Sequence, residues 1–487
     1  MAQSALPEKS ISWIVKEKYW RQKRISLSVD VATQKRNRSA TDLIEMLASR
    51  ANSSLWADSA HQLGTKELTS NKEFDIAIIG GGFSGLWTAF HLNQLDKNLR
   101  IALFEAREIG YGASGRNGGW ASSEYPVTKK SLIKRHGEAL TNQLFTALDQ
   151  SINEIGTFAG RNAPAAGFTK SGSLYFSRNQ GQLDRLRAKS PDSDWLTKKQ
   201  LRDLINVDGV LGGVFDENCA TVHPYELLQG LAEYLIKRKV SIYTRSFATR
   251  IPGGLLVNSF KISASRVIQA TEVYGEANRE FIPLYSLMVA TEPLSKKIWQ
   301  KIGNEERFTF AENTHVINYA QRTVDDRLAI GGRGASTPYL SRLKVSKEST
   351  ESIHNRLRNL ARSWFPVLRD IRFTHSWGGA VAITRNWEPY LQFDRKSGFG
   401  RLGGYAGDGV TMSHLAGKIM AAEILDKQLP ARNLHFVNQP IRKWEPEPLR
   451  YLAVNSLVQL SNLADFEESK TGKPSLLNRV IEPLILR

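Results

Sequence analysis

The feature that most constrains this chain is Gly80-Gly81-Gly82-Phe83-Ser84-Gly85. It is a G-x-G-x-x-G turn between an apolar run of strand length, Asp75-Ile76-Ala77-Ile78-Ile79, and a helical stretch over residues 84–95. The first glycine, Gly80, permits a tight turn, Gly82 lets backbone approach a pyrophosphate, and Gly85 lets helix and strand pack closely. The helix start adds free N–H groups and the positive end of a dipole. Residues 100–104 read as the next strand and lead into Glu105, 20 residues after Gly85, where an acid accepts hydrogen bonds from an adenosine ribose. Strand, turn, helix, strand and acid in register predict a dinucleotide-binding domain. The unit alone does not separate a nicotinamide from a flavin dinucleotide.

The rest of the chain sets the frame. At 487 residues it exceeds what one core organises, so two intertwined domains with peripheral segments are expected. No stretch approaches the roughly 18 uninterrupted apolar residues of a membrane span. The first thirty residues alternate Lys and Arg with Glu8, Glu17 and Asp30 and lack a signal-peptide core, which makes the cytoplasm the expected location. Cys219 is the only cysteine, which excludes an intrachain disulfide and a thiolate cluster; it reads as a small buried hydrophobe. The net charge is +18, but residues 1–70 hold 11 Lys/Arg against 7 Asp/Glu, a net of +4 that leaves +14 for the rest of the chain. No basic run is interleaved with aromatics, so a solvated basic surface is favoured over a nucleic-acid platform.

Residues 1–54 read as a basic appendage with one short helical pattern at 41–51. Residues 227–237 read as an amphipathic helix, 240–243 and 265–270 as strands, and 284–291, 315–322, 327–332 and 373–384 as β-rich. Residues 349–365 are helical with Ile353, Leu357, Leu360 and Trp364 on one stripe. His223 precedes Pro224 at a helix start and reads as structural. No Ser/His/Asp order and no metal-ligand spacing stands out.

Two further glycine-rich segments follow: Gly112-Ala113-Ser114-Gly115-Arg116-Asn117-Gly118-Gly119, and Gly404-Tyr405-Ala406-Gly407-Asp408-Gly409-Val410 before a helical stretch over 411–424. With Val222-His223-Pro224, Ala270-Thr271, Thr291-Glu292-Pro293-Leu294, Gly331-Gly332-Arg333-Gly334 and Trp444-Glu445-Pro446-Glu447-Pro448, they resemble the FAD-dependent D-amino-acid oxidase, glycine oxidase and sarcosine oxidase superfamily. The likeness is strongest to its gamma-glutamylputrescine-oxidase-like branch, and it runs from about residue 55 to residue 463.

The resemblance implies an α/β chain, α+β overall, with a discontinuous Rossmann-like FAD domain (55–125, 206–283, 379–440) and an antiparallel-sheet substrate domain (126–205, 284–378). Residues 1–54 stand before it as an extension, and 441–487 follow as a helical segment. It further implies that Gly80, Gly82, Gly85 and Glu105 serve the ADP half of FAD, and that Phe83, Ser84, Ala106, Arg107, Ala248 and Thr271 also belong to the cofactor site. Ser114, Arg116, Asn117 and Gly118 would lie toward the flavin, and Gly407, Asp408, Gly409 and Val410 at its N1–C2=O edge. Independently, a helix starting near Val410 would aim its positive end at the charge that reduction places there. The sarcosine-oxidase-type covalent link uses a cysteine in the stretch matching residues 377–389, where this chain has none, so dissociable FAD is expected.

Departures from the family pattern bear on substrate. Val381 stands where amino-acid oxidases place the arginine that clamps a carboxylate, with Arg385, Arg322 and Arg333 as possible replacements. Tyr319 and Gln321 are candidate pocket residues above the flavin; ordinary strand alternation is the alternative. Asp408 replaces a common histidine. It would hold a cationic amine or cap the following helix, and a carboxylate there needs protonation, a turned-away position or a cationic partner. The implied reaction is hydride transfer from the carbon of a neutral amine to flavin N5, giving an imine that water hydrolyses, with O2 or another electron acceptor. An RNA-linked flavoprotein of the tRNA-modification type and a non-catalytic flavin-binding assembly protein stay open as alternatives.

Overall fold

The computed structural model describes residues 53–190, 194–275 and 279–477. The expected helix at 41–51, the basic clusters before it and residues 478–487 therefore lie outside the described residues. Strand Lys72–Ile79 takes the centre of a mostly parallel sheet, between Ile101–Phe104 and Phe260–Gln269. A strand covered on both faces has no solvent side to alternate toward, and Ile76, Ala77 and Ile78 are accordingly all apolar and at most 1% exposed. The sheet continues through Ser241–Tyr243 on one side and through Phe399–Gly403 and Tyr390–Asp394 on the other, the last pair antiparallel. Helices Phe83–Leu95 and Gly409–Ile424 pack against each other. A Cβ on Gly417 would stand 2.8 Å from the Thr88 nitrogen, so glycine is what lets the two backbones touch.

A second eight-stranded sheet is antiparallel except where Thr309–Glu312 runs parallel to Ser173–Ser177. Its longest pair is Phe281–Thr291 with Phe373–Thr384, and Leu328–Gly332 and Asn318–Arg322 extend it inward. Helix Glu351–Trp364 packs on this sheet. Leu357 and Trp364 of the expected stripe are buried, and Ile353 and Leu360 are partly so.

Sheet membership departs from the expected segment ends. Gly212–Asp216 pairs with Ser173–Ser177 and so belongs to the second sheet, not to the cofactor domain with 206–283. Phe373–Thr384 is one continuous strand across the expected 378/379 boundary, because its pairing with Phe281–Thr291 runs unbroken through Gly378 and Gly379. The β-rich reading of 373–384 thus matches one strand, and the segment boundary placed inside it does not.

A short ribbon, Trp120–Ser122 with Cys219–Thr221, follows the second glycine-rich segment. Cys219 is buried, its thiol pKa is pushed up by that burial, and its Sγ lies 3.3 Å from Thr309 Oγ1, which fits the structural reading. His223 caps helix Pro224–Lys237: its Nδ1 accepts the Glu226 N–H at 3.2 Å. In the C-terminal segment, helix Leu449–Thr471 is held by Glu468, which meets Arg185 at 2.6 Å and His315 at 3.1 Å. Among the described residues no helix is long and apolar enough to cross a membrane.

Candidate active site

The three glycine-rich segments converge. Gly80 has φ +114° and a Cβ there would lie 2.5 Å from the Ala270 carbonyl oxygen, next to Thr271. A Cβ on Gly85 would lie 2.0 Å from the Gly80 oxygen. Both positions are therefore closed to any side chain. A Cβ on Gly82 would meet Ser114 Oγ at 2.8 Å, and that hydroxyl accepts the Phe83 N–H at 3.0 Å. Ser114 thus sits at the start of helix Phe83–Leu95, at the place expected for a pyrophosphate. Ser84 Oγ bonds Tyr405 at 2.9 Å, tying the first turn to the third.

The Glu105 carboxylate accepts the N–H groups of Gly81 at 2.7 Å and Arg107 at 2.9 Å. Burial raises its pKa, while these N–H groups and that of Ala106 oppose the rise. The chain leading to Ala248 runs alongside, since Ser246 N–H donates to the Glu105 carbonyl at 2.9 Å.

The second segment is held in a way the sequence does not announce. Its five successive carbonyls from Gly115 to Gly119 each accept a hydrogen bond from outside the segment, from four separate stretches of the chain. Ser54 Oγ donates to Gly115 at 2.8 Å, Trp377 Nε1 to Arg116 at 3.0 Å, and Trp56 Nε1 to Asn117 at 2.8 Å. Gln321 Nε2 donates to Gly118 at 2.6 Å, and the Val222 N–H to Gly119 at 2.9 Å. The Asn117 side chain closes the turn from within, donating to the Ser114 carbonyl at 2.6 Å and accepting the Gly119 N–H at 2.8 Å. The Arg116 guanidinium is buried, 3.8 Å from the equally buried Glu348 carboxylate. A loop anchored along one edge is fixed before a ligand arrives, which lowers the ordering cost of binding.

Tyr319 and Gln321 face this loop. A Cβ on Gly118 would lie 2.5 Å from the Tyr319 ring and one on Gly331 2.4 Å, so the ring is wedged between two glycines; its hydroxyl meets Ser286 Oγ at 2.7 Å. The alternation of strand Asn318–Arg322 puts Tyr319 and Gln321 on the same face, toward the loop.

The third segment enters helix Gly409–Ile424 through Gly407 at φ +113°. Asp408 occupies the N-cap position, yet its side chain makes no capping hydrogen bond, which removes the helix-cap reading. The carboxylate instead interacts with Arg333. That guanidinium donates to the Ala406 carbonyl at 2.6 Å and lies 2.5 Å from where a Gly407 Cβ would be. Gly409 and Val410 then form the first turn, with its N–H groups left clear of Asp408. Behind the turn, Glu272 accepts the Ala382 N–H at 3.0 Å and those of Gly404 and Tyr405. Burial raises its pKa to about 7 against these bonds.

Of the three arginines considered as carboxylate anchors, two are engaged elsewhere. Arg322 pairs with Asp326 at 2.7 Å over the Trp299 ring, and Arg385 pairs with Glu445 at 2.9 Å over Trp444. Val381 packs with Ile282, Leu284, Ile383, Ala406 and Trp444 and offers no charge. Arg333 is the one of the three that reaches the site.

Other residues of the site were not foreseen. Tyr175 donates to Glu124 Oε1 at 2.5 Å, and the Trp120 ring stands 6.4 Å from Tyr175 and 6.0 Å from Tyr319. Burial raises the pKa of Glu124, Tyr175 and Tyr319 and lowers that of Arg333, yet all four keep part of their surface accessible. Trp120, the residue directly after the loop, was the available signal; Glu124, Tyr175, Ser54 and Trp56 carry no motif.

Comparison with known proteins agrees with this geometry. Residues 75–423 match the family model described as FAD dependent oxidoreductase, and the chain belongs to that family. It is 26% identical over 389 residues to a probable oxidoreductase OrdL of Haemophilus influenzae, covering 74% of this chain and 84% of that protein. It is likewise 26% identical over 393 residues to the gamma-glutamylputrescine oxidoreductase of Escherichia coli, covering 76% and 88%. Among solved structures, glycine oxidase from Bacillus cereus superposes with a TM-score of 0.61 at 18% identity, over 76% of this chain and all of that one. The protein is an FAD-dependent oxidoreductase with a Rossmann-like cofactor fold.

Proposed function

We propose that the protein oxidises a C–N bond of a small primary or secondary amine, polyamine-derived or an amino-acid derivative, to an imine that water hydrolyses to an aldehyde or oxo product. The observation that carries this is the convergence on one place of the Gly118–Gly119 edge, which Tyr319 and Gln321 contact, and the Gly407–Val410 turn, which Arg333 reaches through its hydrogen bond to the Ala406 carbonyl. The names of the relatives point the same way.

FAD, when bound, supplies the hydride acceptor at its N5. The residues present fit it: Gly80, Gly82 and Gly85 with Ser114 and Phe83 for the pyrophosphate, and Glu105, with Ala106, Arg107 and Ala248 nearby, for the adenosine. Thr271 lies beside Gly80, the anchored Gly115–Gly119 edge would lie toward the flavin ring, and the Gly407–Val410 helix start at the N1–C2=O edge. Attachment is non-covalent in this reading, since Cys219 is buried in the ribbon with Thr309 beside it.

The chain's own contribution is placement and electrostatics. Tyr319 and Gln321 fix the Gly118–Gly119 edge. The start of helix Gly409–Ile424 and Arg333 favour negative charge at the turn, and Asp408 moderates Arg333. A site closed by Trp120, Tyr175 and Tyr319 would exclude water and favour the neutral amine that can lose hydride. No general base is assigned.

An anaerobic panel of polyamines, γ-glutamylated amines, N-methyl amino acids and aminophosphonates, read by loss of oxidised-flavin absorbance, tests the proposal. Bleaching by any of these amines supports it, and failure of all of them refutes it. Mixing the reduced enzyme with O2 separates oxidase from dehydrogenase.

A further inference from the structure

Helix Leu449–Thr471 is apolar on two opposite sides. Inward, Ala464 is buried and Val454 packs against the cluster that holds Ile282, Ile383 and Trp444. Outward, Leu449, Leu452, Leu463 and Phe466 are 54% to 61% exposed. With the exposed Ser456 and Gln459 they follow the alternating spacing of three and four residues that makes a coiled-coil seam. The apolar surface also extends sideways from the helix. The Tyr339 ring meets the Tyr451 ring at 5.6 Å, and both, with Leu340, are exposed. Asn455 and Thr337 exchange hydrogen bonds of 2.9 and 3.1 Å, which makes this surface continuous with the segment that follows Arg333. At ordinary side-chain areas these apolar groups offer roughly 700 Å² per copy, against roughly 800 Å² per partner in a stable protein interface. Soluble monomers rarely leave so much contiguous apolar surface in water.

The order of residues along the stripe fits a second copy of this chain. Large apolar groups stand at both ends, and Ser456 and Gln459 stand between them. Laid antiparallel about a twofold axis between Leu457 and Val458, the stripe sets Leu449 against Phe466 of the partner subunit. The same register sets Leu452 against Leu463 of the partner subunit and Ser456 against Gln459 of the partner subunit. This is the self-matching that an isologous interface requires, and it places the two helix dipoles in opposition. No position of the stripe is charged, so two molecules of net charge +18 would meet through a neutral face. A lipid surface fits less well. Interfacial helices carry Lys and Arg beside their apolar face, whereas this helix sets Arg450 and Lys470 against Asp465, Glu467 and Glu468, with Arg450 held 2.7 Å from Glu447.

We propose that the protein is a homodimer formed through the outer stripe of helix Leu449–Thr471, paired antiparallel with the same stripe of a second copy. The proposal stands independently of the reaction proposed above.

The test is sedimentation velocity on the full-chain holoenzyme over a dilution series, with flavin content and thermal melting as controls for folding. Wild type is expected to sediment with the mass of two chains. Leu452→Lys and Leu463→Glu each place a charge against an apolar group of the partner, and each should raise the dimer dissociation constant at least tenfold. Carrying both substitutions in one chain should restore the dimer, because the antiparallel register sets the new opposite charges against each other twice. Parallel pairing would set like charges together. The two positions stand about three turns apart on one helix, so the restoration does not arise within a single chain.

A monomeric wild type, a dimer that persists in both single variants, or a double variant that stays monomeric overturns the proposal. A monomer that sediments with vesicles of phosphatidylcholine and phosphatidylglycerol would give the face to a lipid surface. A monomer that binds an apolar dye only after deletion of residues 478–487 would give it to the chain's own end. Either result also overturns it.

Discussion

Trp56→Phe should weaken FAD binding although residue 56 lies outside the matched family region. The substitution keeps an aromatic ring in the slot where Trp56 meets His223 at 5.1 Å and Trp377 at 6.0 Å, and removes the indole N–H that donates to the Asn117 carbonyl at 2.8 Å. Trp56 is 1% exposed and a phenyl ring fills most of its slot, so the abandoned carbonyl keeps an apolar neighbour on that side. Leaving a buried acceptor without its donor costs about 1–3 kcal/mol. Where that cost falls on the cofactor-bound loop it appears as weaker binding, and about 1.4 kcal/mol is a factor of ten in Kd. The other four anchored carbonyls limit the loss, so we expect a tenfold rise in Kd for FAD and a faster off-rate. Dissociation is followed by the recovery of free-flavin fluorescence on dilution, and folding by apoprotein thermal melting. An unchanged Kd and off-rate in a folded Trp56→Phe variant would refute the idea that the anchored edge is what prepares the loop.

Gly118→Ala places a Cβ 2.5 Å from the Tyr319 ring, and should give folded protein with little bound flavin; pairing it with Tyr319→Ala should restore part of the flavin content on purification. Asp408→Asn removes a negative charge from the Gly407–Val410 turn, which the proposal sets at the flavin edge, and should raise the reduction potential without lowering thermal stability, since no helix cap is lost; a fall in melting temperature with an unchanged potential would reinstate the cap. Arg333→Met should move the potential the opposite way, and the double variant should show non-additivity if the two groups are coupled. For His223, burial lowers the pKa from 6.5 to about 4, so the folded state resists the proton that the unfolded chain accepts. Stability should decline as pH falls from 6.5 toward 4, and His223→Gln should flatten that part of the profile in thermal melts.

The cofactor half of the molecule was legible in sequence because its chemistry acts through backbone. Gly80, Gly82 and Gly85 are glycines for steric reasons that hold wherever a strand feeds a helix at a pyrophosphate, and Glu105 follows at a fixed spacing. The substrate half was legible only where it inherits that logic, as at Tyr319 and Gln321, which reach the loop through strand register. Glu124 and Tyr175 meet across 51 positions, and Trp56 reaches Asn117 across 61. Such pairings depend on how two sheets dock, and no local pattern encodes them. Asp408 shows the same limit: its place before a helix suggested a cap, and only the fold reveals Arg333 arriving from another strand. The boundary at 378/379 cuts through a stretch that the residues themselves read as continuous β, and the unbroken pairing with Phe281–Thr291 follows the residues, not the implied segment end.

The central claim is that this flavoprotein takes hydride from an amine carbon. The most direct measurement is anaerobic titration of the holoenzyme with the amine panel, followed at the oxidised-flavin absorbance, with identification of the carbonyl product. The account predicts stoichiometric bleaching by at least one amine and one equivalent of aldehyde or oxo product per flavin reduced. A flavin that stays oxidised with every amine, while chemical reductant bleaches it fully, would contradict the account.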